Sequence, residues 1–316
     1  MKLKNIVFMG TPEFAVPALE LLSKTRFRPI LCITQPDKPR GRKQKLQSPE
    51  IKTKALELEI PIIQPQDVNS ADIISELKQL KPDIIITVAY GGYLKKEIRK
   101  LPEYGCINLH PSLLPKYRGA APVNYTLFSG DKLTGNTIFK IVAKMDAGPV
   151  LYQRKVKIKD NECYSSLYHR LSILGAEDIL NVLESIEKDK TQLIKQDETQ
   201  VTFSHKLTKD DLFVNWHQPA EKIWNKVRGL AEIPGAVASF RNERIKIIEV
   251  EIMDEPSDSI SGTIAEVVKS RGIILTTLDK NILLKRVQPA GKKIMTSFAF
   301  SLGARIKKGE KFESGF

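Results

Sequence analysis

Lys81-Pro82-Asp83-Ile84-Ile85-Ile86-Thr87-Val88 decides the fold. Proline disfavours helical geometry in the residue before it, so the helical pattern over 71–80 must stop there. The run that follows is apolar without alternation, as in a strand covered on both faces. Towards the N-terminus lie a short strand around Ile62, a helix over 50–58, a strand over 30–34, a helix over 13–22 and an apolar strand over 5–9. Towards the C-terminus, strands are expected over 106–109, 137–142 and 150–156, then a long helix over 164–187. Strands separated by helices of this length imply βαβ units with right-handed crossovers. The class is α/β, with a doubly wound, mostly parallel, Rossmann-like sheet.

Beyond Lys206 the pattern changes. One helix, over 221–230, is followed by short β-like runs at 236–240, 245–251, 262–268, 273–277 and 281–287, punctuated by Gly, Asp-Lys and Arg-Gly. Such runs suggest a small antiparallel, OB-like barrel. The 316 residues, at about 150 per domain, also suggest two domains. The expected division is 1–188, a linker over 189–206, and 207–316.

Fifty Lys and Arg against 37 Asp and Glu leave a formal charge of +13, which favours a polyanionic partner. Cys32, Cys106 and Cys163 are far apart and form no C-x-x-C pair, against a disulfide framework or thiolate zinc site. No stretch approaches the about 18 apolar residues of a membrane span. A cytoplasmic protein is expected, with no membrane association. The first turn, Gly10-Thr11-Pro12-Glu13-Phe14, lacks the G-x-G-x-x-G of dinucleotide-binding oxidoreductases. One glycine, a proline without an N–H and a carboxylate make a poor pyrophosphate cradle, which argues against a nicotinamide cofactor.

Chemistry concentrates in Cys106-Ile107-Asn108-Leu109-His110-Pro111-Ser112-Leu113-Leu114-Pro115. Side chains alternate along a strand, so Asn108 and His110 share a face. They end a strand at the edge where open α/β sheets bind ligands. An amide beside an imidazole suits a developing oxyanion and proton movement near neutral pH. A histidine that merely caps the strand is the alternative. Asp146, in Lys144-Met145-Asp146-Ala147-Gly148-Pro149, occupies a tight turn where Asp commonly serves turn geometry alone.

The chain resembles the methionyl-tRNA formyltransferases. The resemblance is carried by Gly10-Thr11-Pro12-Glu13-Phe14-Ala15-Val16-Pro17, by Ser112-Leu113-Leu114-Pro115-x-Tyr117-Arg118-Gly119-Ala120-Ala121-Pro122, and by Met145-Asp146-x-Gly148. In the second half it rests on Lys206-Leu207 near Trp216 and Val227-Arg228-Gly229 near Pro234-Gly235. It implies a catalytic formyltransferase domain followed by a tRNA-contacting barrel, with Asn108, His110 and Asp146 as the catalytic trio. The implied donor is 10-formyltetrahydrofolate, with no metal, and the acceptor is the α-amino group of methionine on initiator methionyl-tRNA. Folate contacts are implied at Ala89, Tyr90, Gly91, Ser112, Leu113, Leu114 and Pro115. The expected chemistry is direct amine attack, with Asn108 and His110 on the oxyanion and Asp146 orienting His110 and receiving the amine's proton. Two departures stand out: Pro111 replaces the small residue many members carry, and Gly92-Tyr93-Leu94-Lys95 lacks a proline often found there.

Between residues 38 and 45 the chain carries five cations and no anion: Lys38, Arg40, Arg42, Lys43 and Lys45. This loop leaves a strand on the same edge of the sheet as the proposed site, and such cations suit phosphates and base edges. The resemblance makes it the loop that enters the tRNA acceptor stem, with Arg42 deepest. From Lys280 to Lys311 nine Lys and Arg face one acid, Glu310, a second surface suited to a nucleic-acid backbone. A folate-dependent formyltransferase acting on a small amine, such as a sugar nucleotide or glycinamide ribonucleotide, is the alternative function. It gives no reason for the cationic loop. A monomer is expected.

Overall fold

Unbroken apolar runs become the interior strands of a parallel sheet because helices cover both of its faces. The computed structural model describes residues 2–40 and 45–315. Its first sheet contains β1 (Ile6–Gly10), β2 (Leu31–Ile33), β3 (Ile62–Ile63), β4 (Ile84–Val88), β5 (Cys106–His110), β6 (Leu133–Lys140) and β7 (Val150–Lys157). Their spatial order is β7-β6-β5-β4-β1-β2-β3. The pairs from β3 through to β5 are parallel, and β6 and β7 add antiparallel at the β5 edge. The chain winds outward from β1 through β2 to β3, then returns to place β4 on the other side of β1. The β1–β4 boundary is thus the topological switch point, where ligands bind beyond the strands' carboxyl ends.

Ile84, Ile85, Ile86 and Val88 of β4 are fully buried. Each such side chain contributes about 1.5–3 kcal/mol. One face packs with Val7, Met9, Leu31, Ile33 and Leu77 in a single cluster. In the first 188 residues the helices of eight residues or more are α1 (Val16–Ser23), α2 (Glu50–Glu57), α3 (Ala71–Leu80) and α4 (Tyr164–Glu187). A 3₁₀ turn, Glu13–Ala15, precedes α1, whose first turn carries Pro17. Lys81 ends α3 in the left-handed region at φ 46°, immediately before Pro82. Two of the three free cysteines, Cys32 and Cys106, sit in the sheet, where burial pushes each thiol up to about 12.

The chain divides into two compact units. One comprises Met1–Pro122, Leu133–Lys157 and Tyr168–Ser204; the other comprises Val123–Lys132, Ile158–Leu167 and His205–Phe316. The stretch expected to be a linker carries structure of its own: a 3₁₀ turn at Glu198–Gln200, and Phe203–Ser204 paired in parallel with Arg118–Gly119.

The second unit contains α5 (Ala220–Leu230), β8 (Ala236–Phe240), β9 (Glu243–Pro256), β10 (Ile264–Val268), β11 (Gly272–Leu275), β12 (Lys280–Pro289), α6 (Ser297–Ala304) and β13 (Phe312–Glu313). The antiparallel order is β10-β11-β12-β9-β8-β13. Phe312 and Glu313 pair with β8, while the Phe312 N–H donates to the Gly262 carbonyl and the Ile264 N–H to that of Glu310. The C-terminal segment therefore bridges both edges and curls the sheet into a barrel, removing exposed strand edges. Its core includes Trp216, Phe240, Ile247, Ile264, Leu284 and Phe312.

Candidate active site

Parallel pairing sets Thr87 of β4 opposite Asn108 of β5, near the carboxyl end of both strands. The Thr87 hydroxyl, buried in the sheet, donates to Asn108 Oδ1 at 2.6 Å. An amide whose oxygen is held in this way turns its NH₂ the other way. Asn108 is half-buried and its Nδ2 has no protein partner among the described residues, so it is a donor held in reserve.

His110 is 4 % exposed. Its Nε2 lies 2.9 Å from the Tyr117 carbonyl, and a carbonyl only accepts, so this partner assigns the ring proton to Nε2. Nδ1 then faces Asp146, 3.7 Å from Oδ2. The carboxylate is anchored by the Gly119 N–H, which donates to Oδ2 at 2.8 Å. A second proton on the ring would turn this approach into an imidazolium–carboxylate pair. One ring nitrogen is committed to Tyr117 and the other turned to Asp146, which leaves the Asn108 NH₂ as the trio's free donor.

Three non-glycine residues here adopt left-handed backbone: Ala89 at φ 46°, Tyr117 at φ 60° and Asp146 at φ 49°. Each such conformation costs about 1–3 kcal/mol and persists only where its surroundings enforce it. At Gly148 a Cβ would stand 1.6 Å from the Lys140 carbonyl oxygen, so the Asp146 turn fits against β6 only with glycine at its end.

Ala89, Tyr90 and Gly91 leave β4 at the switch point, where the Thr11 hydroxyl ties the two strand exits together by donating to the Tyr90 carbonyl at 2.8 Å. Burial pushes the Tyr90 phenol up to about 12. Ser112, Leu113, Leu114 and Pro115 leave β5. Thr137 Oγ1 donates to the Ser112 carbonyl at 2.6 Å and accepts from the Leu114 N–H at 3.1 Å, and Gln153 Nε2 donates to the Leu114 carbonyl at 3.0 Å. Ser112 and Leu114 are buried, so they shape the loop from inside, while Leu113 and Pro115 are partly exposed.

Arg118, fully buried, braces this region. Its guanidinium donates to Gln196 Oε1 at 2.7 and 3.1 Å and to Glu198 Oε1 at 2.8 Å. Glu198 also accepts from Lys144 at 2.6 Å, and the two cations hold its carboxyl down to about 2. Sequence reasoning missed Thr87, Gln196 and Glu198. A hydroxyl inside an otherwise Ile/Val run was the available signal for Thr87. For Gln196 and Glu198 there was none.

The cationic loop follows β2, and its two described ends form a β-ribbon: Lys38–Arg40 pairs antiparallel with Lys45–Gln47. Lys38 and Lys45 are exposed, whereas Arg42 and Lys43 lie outside the described residues. Asp37 pins the base, accepting from Gln64 Nε2 at 2.7 Å, Lys52 Nζ at 2.8 Å and Ser48 Oγ at 3.2 Å, and these donors hold its carboxyl below the usual range. β2 runs parallel to β1, so the ribbon begins at the same edge of the sheet as β4 and β5 end. In the second unit the count along the chain overstated the basic surface. Lys285 pairs with Glu249 and Glu251, and Arg286 with Glu232 and Glu249, acids distant in sequence. Lys292, Lys293, Lys307, Lys308 and Lys311 remain exposed.

Two family profiles match the chain: one described as formyl transferase over residues 3–183, and one described as formyl transferase, C-terminal domain, over residues 206–305. The methionyl-tRNA formyltransferase of Thermodesulfovibrio yellowstonii is 42% identical over 308 residues, 96% of this chain and 97% of that protein. That of Bacillus subtilis is 36% identical over 306 residues, 97% of this chain and 96% of that protein. Among solved structures, an N-formyltransferase from Helicobacter canadensis, in complex with folinic acid and dTDP-3-aminofucose, shares the fold. Its TM-score is 0.67 at 18% identity, covering 90% of this chain and 99% of its own. The methionyl-tRNA formyltransferase from Clostridium thermocellum gives a TM-score of 0.56 at 16% identity, covering 80% of this chain and 95% of its own. With close matches along nearly its whole length, the chain belongs to the methionyl-tRNA formyltransferase family.

Proposed function

We propose that the protein transfers the formyl group of 10-formyltetrahydrofolate to the α-amino group of methionine on initiator methionyl-tRNA. The observation that carries this reading is the approach of His110 to Asp146 beside the free Asn108 amide, at the edge of the sheet from which the basic ribbon also leaves. Both substrates fit that edge in kind. The strand exits at Ala89–Gly91 and Ser112–Pro115 flank the switch point as a folate pocket would, and the exposed Lys38 and Lys45 suit tRNA phosphates.

The amine nitrogen attacks the formyl carbon directly, so no protein nucleophile is required. A C–N bond forms to methionine, the bond to the folate nitrogen breaks, the amine gives up one proton and the folate nitrogen gains one. Asn108 Nδ2 receives the negative charge that develops on the formyl oxygen, where one donor is typically worth about 10²–10³ in turnover. The His110–Asp146 pair takes the amine's proton: Nδ1 is the ring nitrogen with a lone pair, and the carboxylate stabilises the imidazolium that results. Holding both substrates in register supplies the rest.

Incubation with 10-formyltetrahydrofolate and methionine-charged initiator or elongator tRNA tests the proposal. Acid-stable formyl-methionine on the initiator alone is the expected result. Formylation of an amino-sugar nucleotide or glycinamide ribonucleotide, with both tRNAs untouched, would overturn it.

A further inference from the structure

Gln196 is separated from Asp146 by 50 positions, in a stretch with no periodicity, yet it is 7 % exposed and fully bonded. Its Nε2 donates to the carbonyl of Asp146 at 2.8 Å and to that of Gly148 at 2.7 Å. Its Oε1 accepts both bonds from the buried Arg118 guanidinium described above. Two donors and two acceptor sites are all that a primary amide offers, and all are in use.

Gln196 thus grips the backbone at Asp146 and again two residues beyond it. The Asp146 backbone is left-handed, at φ 49°, a conformation that Asp adopts more readily than most residues with a Cβ but that still needs its surroundings to enforce it, and the two bonds from Gln196 do so. The carboxylate is aimed by two ties on one residue, Gln196 at the backbone carbonyl and Gly119 at Oδ2. The same segment holds the other half of the pair. Ser204 Oγ donates to the Tyr117 carbonyl at 3.0 Å, the carbonyl that accepts from His110, and Thr202 Oγ1 accepts from the Tyr117 N–H at 2.8 Å.

We propose that Gln196 is a positioning residue for the His110–Asp146 pair, fixing the Asp146 turn so that its carboxylate faces Nδ1. It touches no reacting atom and acts through Asp146. The inference rests on the proposed reaction centre, and the segment 196–204 becomes part of that centre rather than a tether.

Gln196→Glu keeps an acceptor for Arg118 and removes both donors to the turn; Gln196→Met removes both functions at similar length. The measurements are kcat and KM for each substrate, the melting temperature, and the ¹⁵N resonances of the His110 ring in the free enzyme. Both variants should lower kcat about 10- to 100-fold with both KM values unchanged, the range expected when a reacting group is displaced by about an ångström. The His110 Nδ1 resonance should move, and neither variant should add to the loss already caused by Asp146→Asn. Wild-type kcat in the folded variants, or losses that multiply with Asp146→Asn, would overturn the proposal. So would an unmoved Nδ1 resonance, a readout that stands even if the wild-type protein formylates a different amine.

Discussion

Thr87→Val removes one hydroxyl and almost no volume from the interior of β4. What disappears is the 2.6 Å bond that holds Asn108 Oδ1 and so commits the amide NH₂ to the proposed oxyanion. A bond of this kind contributes about 0.5–1.5 kcal/mol, and about 1.4 kcal/mol is a tenfold change in an equilibrium constant. Without it the reversed amide, with its oxygen towards the developing charge, competes with the productive one. The expected loss in kcat is about 3- to 10-fold, far short of the about 10²–10³ for Asn108→Ala, because the donor survives in part of the population. KM for either substrate should not change. Thr87→Ser should restore the rate, and Thr87→Val should cost nothing in an Asn108→Ala background. Steady-state formylation with charged initiator tRNA reads all four proteins. A wild-type kcat in Thr87→Val, a Ser variant no better than Val, or an effect that persists without Asn108 would refute the reasoning.

At Gly148, alanine brings a Cβ into the Lys140 carbonyl oxygen, so Gly148→Ala should lower stability by about 3 kcal/mol or more in denaturant melts; a variant as stable as the wild type would contradict the packing. Glu198 has a depressed carboxyl, so the stability it contributes is present above its unfolded value of 4.5 and is lost as pH falls towards about 2. Glu198→Gln should therefore melt below the wild type at neutral pH, with the two melting temperatures converging on acidification; a constant gap would argue against the ion pairs. Log KM for tRNA should rise with log salt by about 0.9 per phosphate contact, and Lys38→Ala or Lys45→Ala should each reduce that slope by about 1, with KM for the folate unchanged. Salt-independent tRNA binding would remove the ribbon from the interface.

Much of this protein was legible in its sequence because the deciding signals are local. The buried runs at 5–9 and 83–88 have no polar alternation, and a run of that kind has few places to go but an interior parallel strand. The helices over 71–80 and 164–187 follow from their periodicity and match the observed α3 and α4. The helix at Ser297–Ala304 was not legible. Its Ser, Phe and Gly content gives weak propensity, and it depends on a cap in which the Ala299 N–H donates to Thr296 Oγ1 and on the barrel it covers. The C-terminal cations looked unopposed because the acids on β9 that meet them are distant in the chain and adjacent only across the barrel.

The sequence by itself determined the succession of the first sheet's seven strands, the shared face of Asn108 and His110, and the cations that make a basic ribbon, since each depends on spacing within one element. Tertiary structure alone decided which nitrogen of His110 meets Asp146, which way the Asn108 amide turns, and that Gln196, itself bonded by Arg118, donates to the carbonyls of the turn. Those outcomes are set by hydrogen bonds of about 3 Å between residues up to 78 positions apart. Contacts of that kind leave no periodic trace along the chain, and they exist only once the sheet has brought its strand ends together.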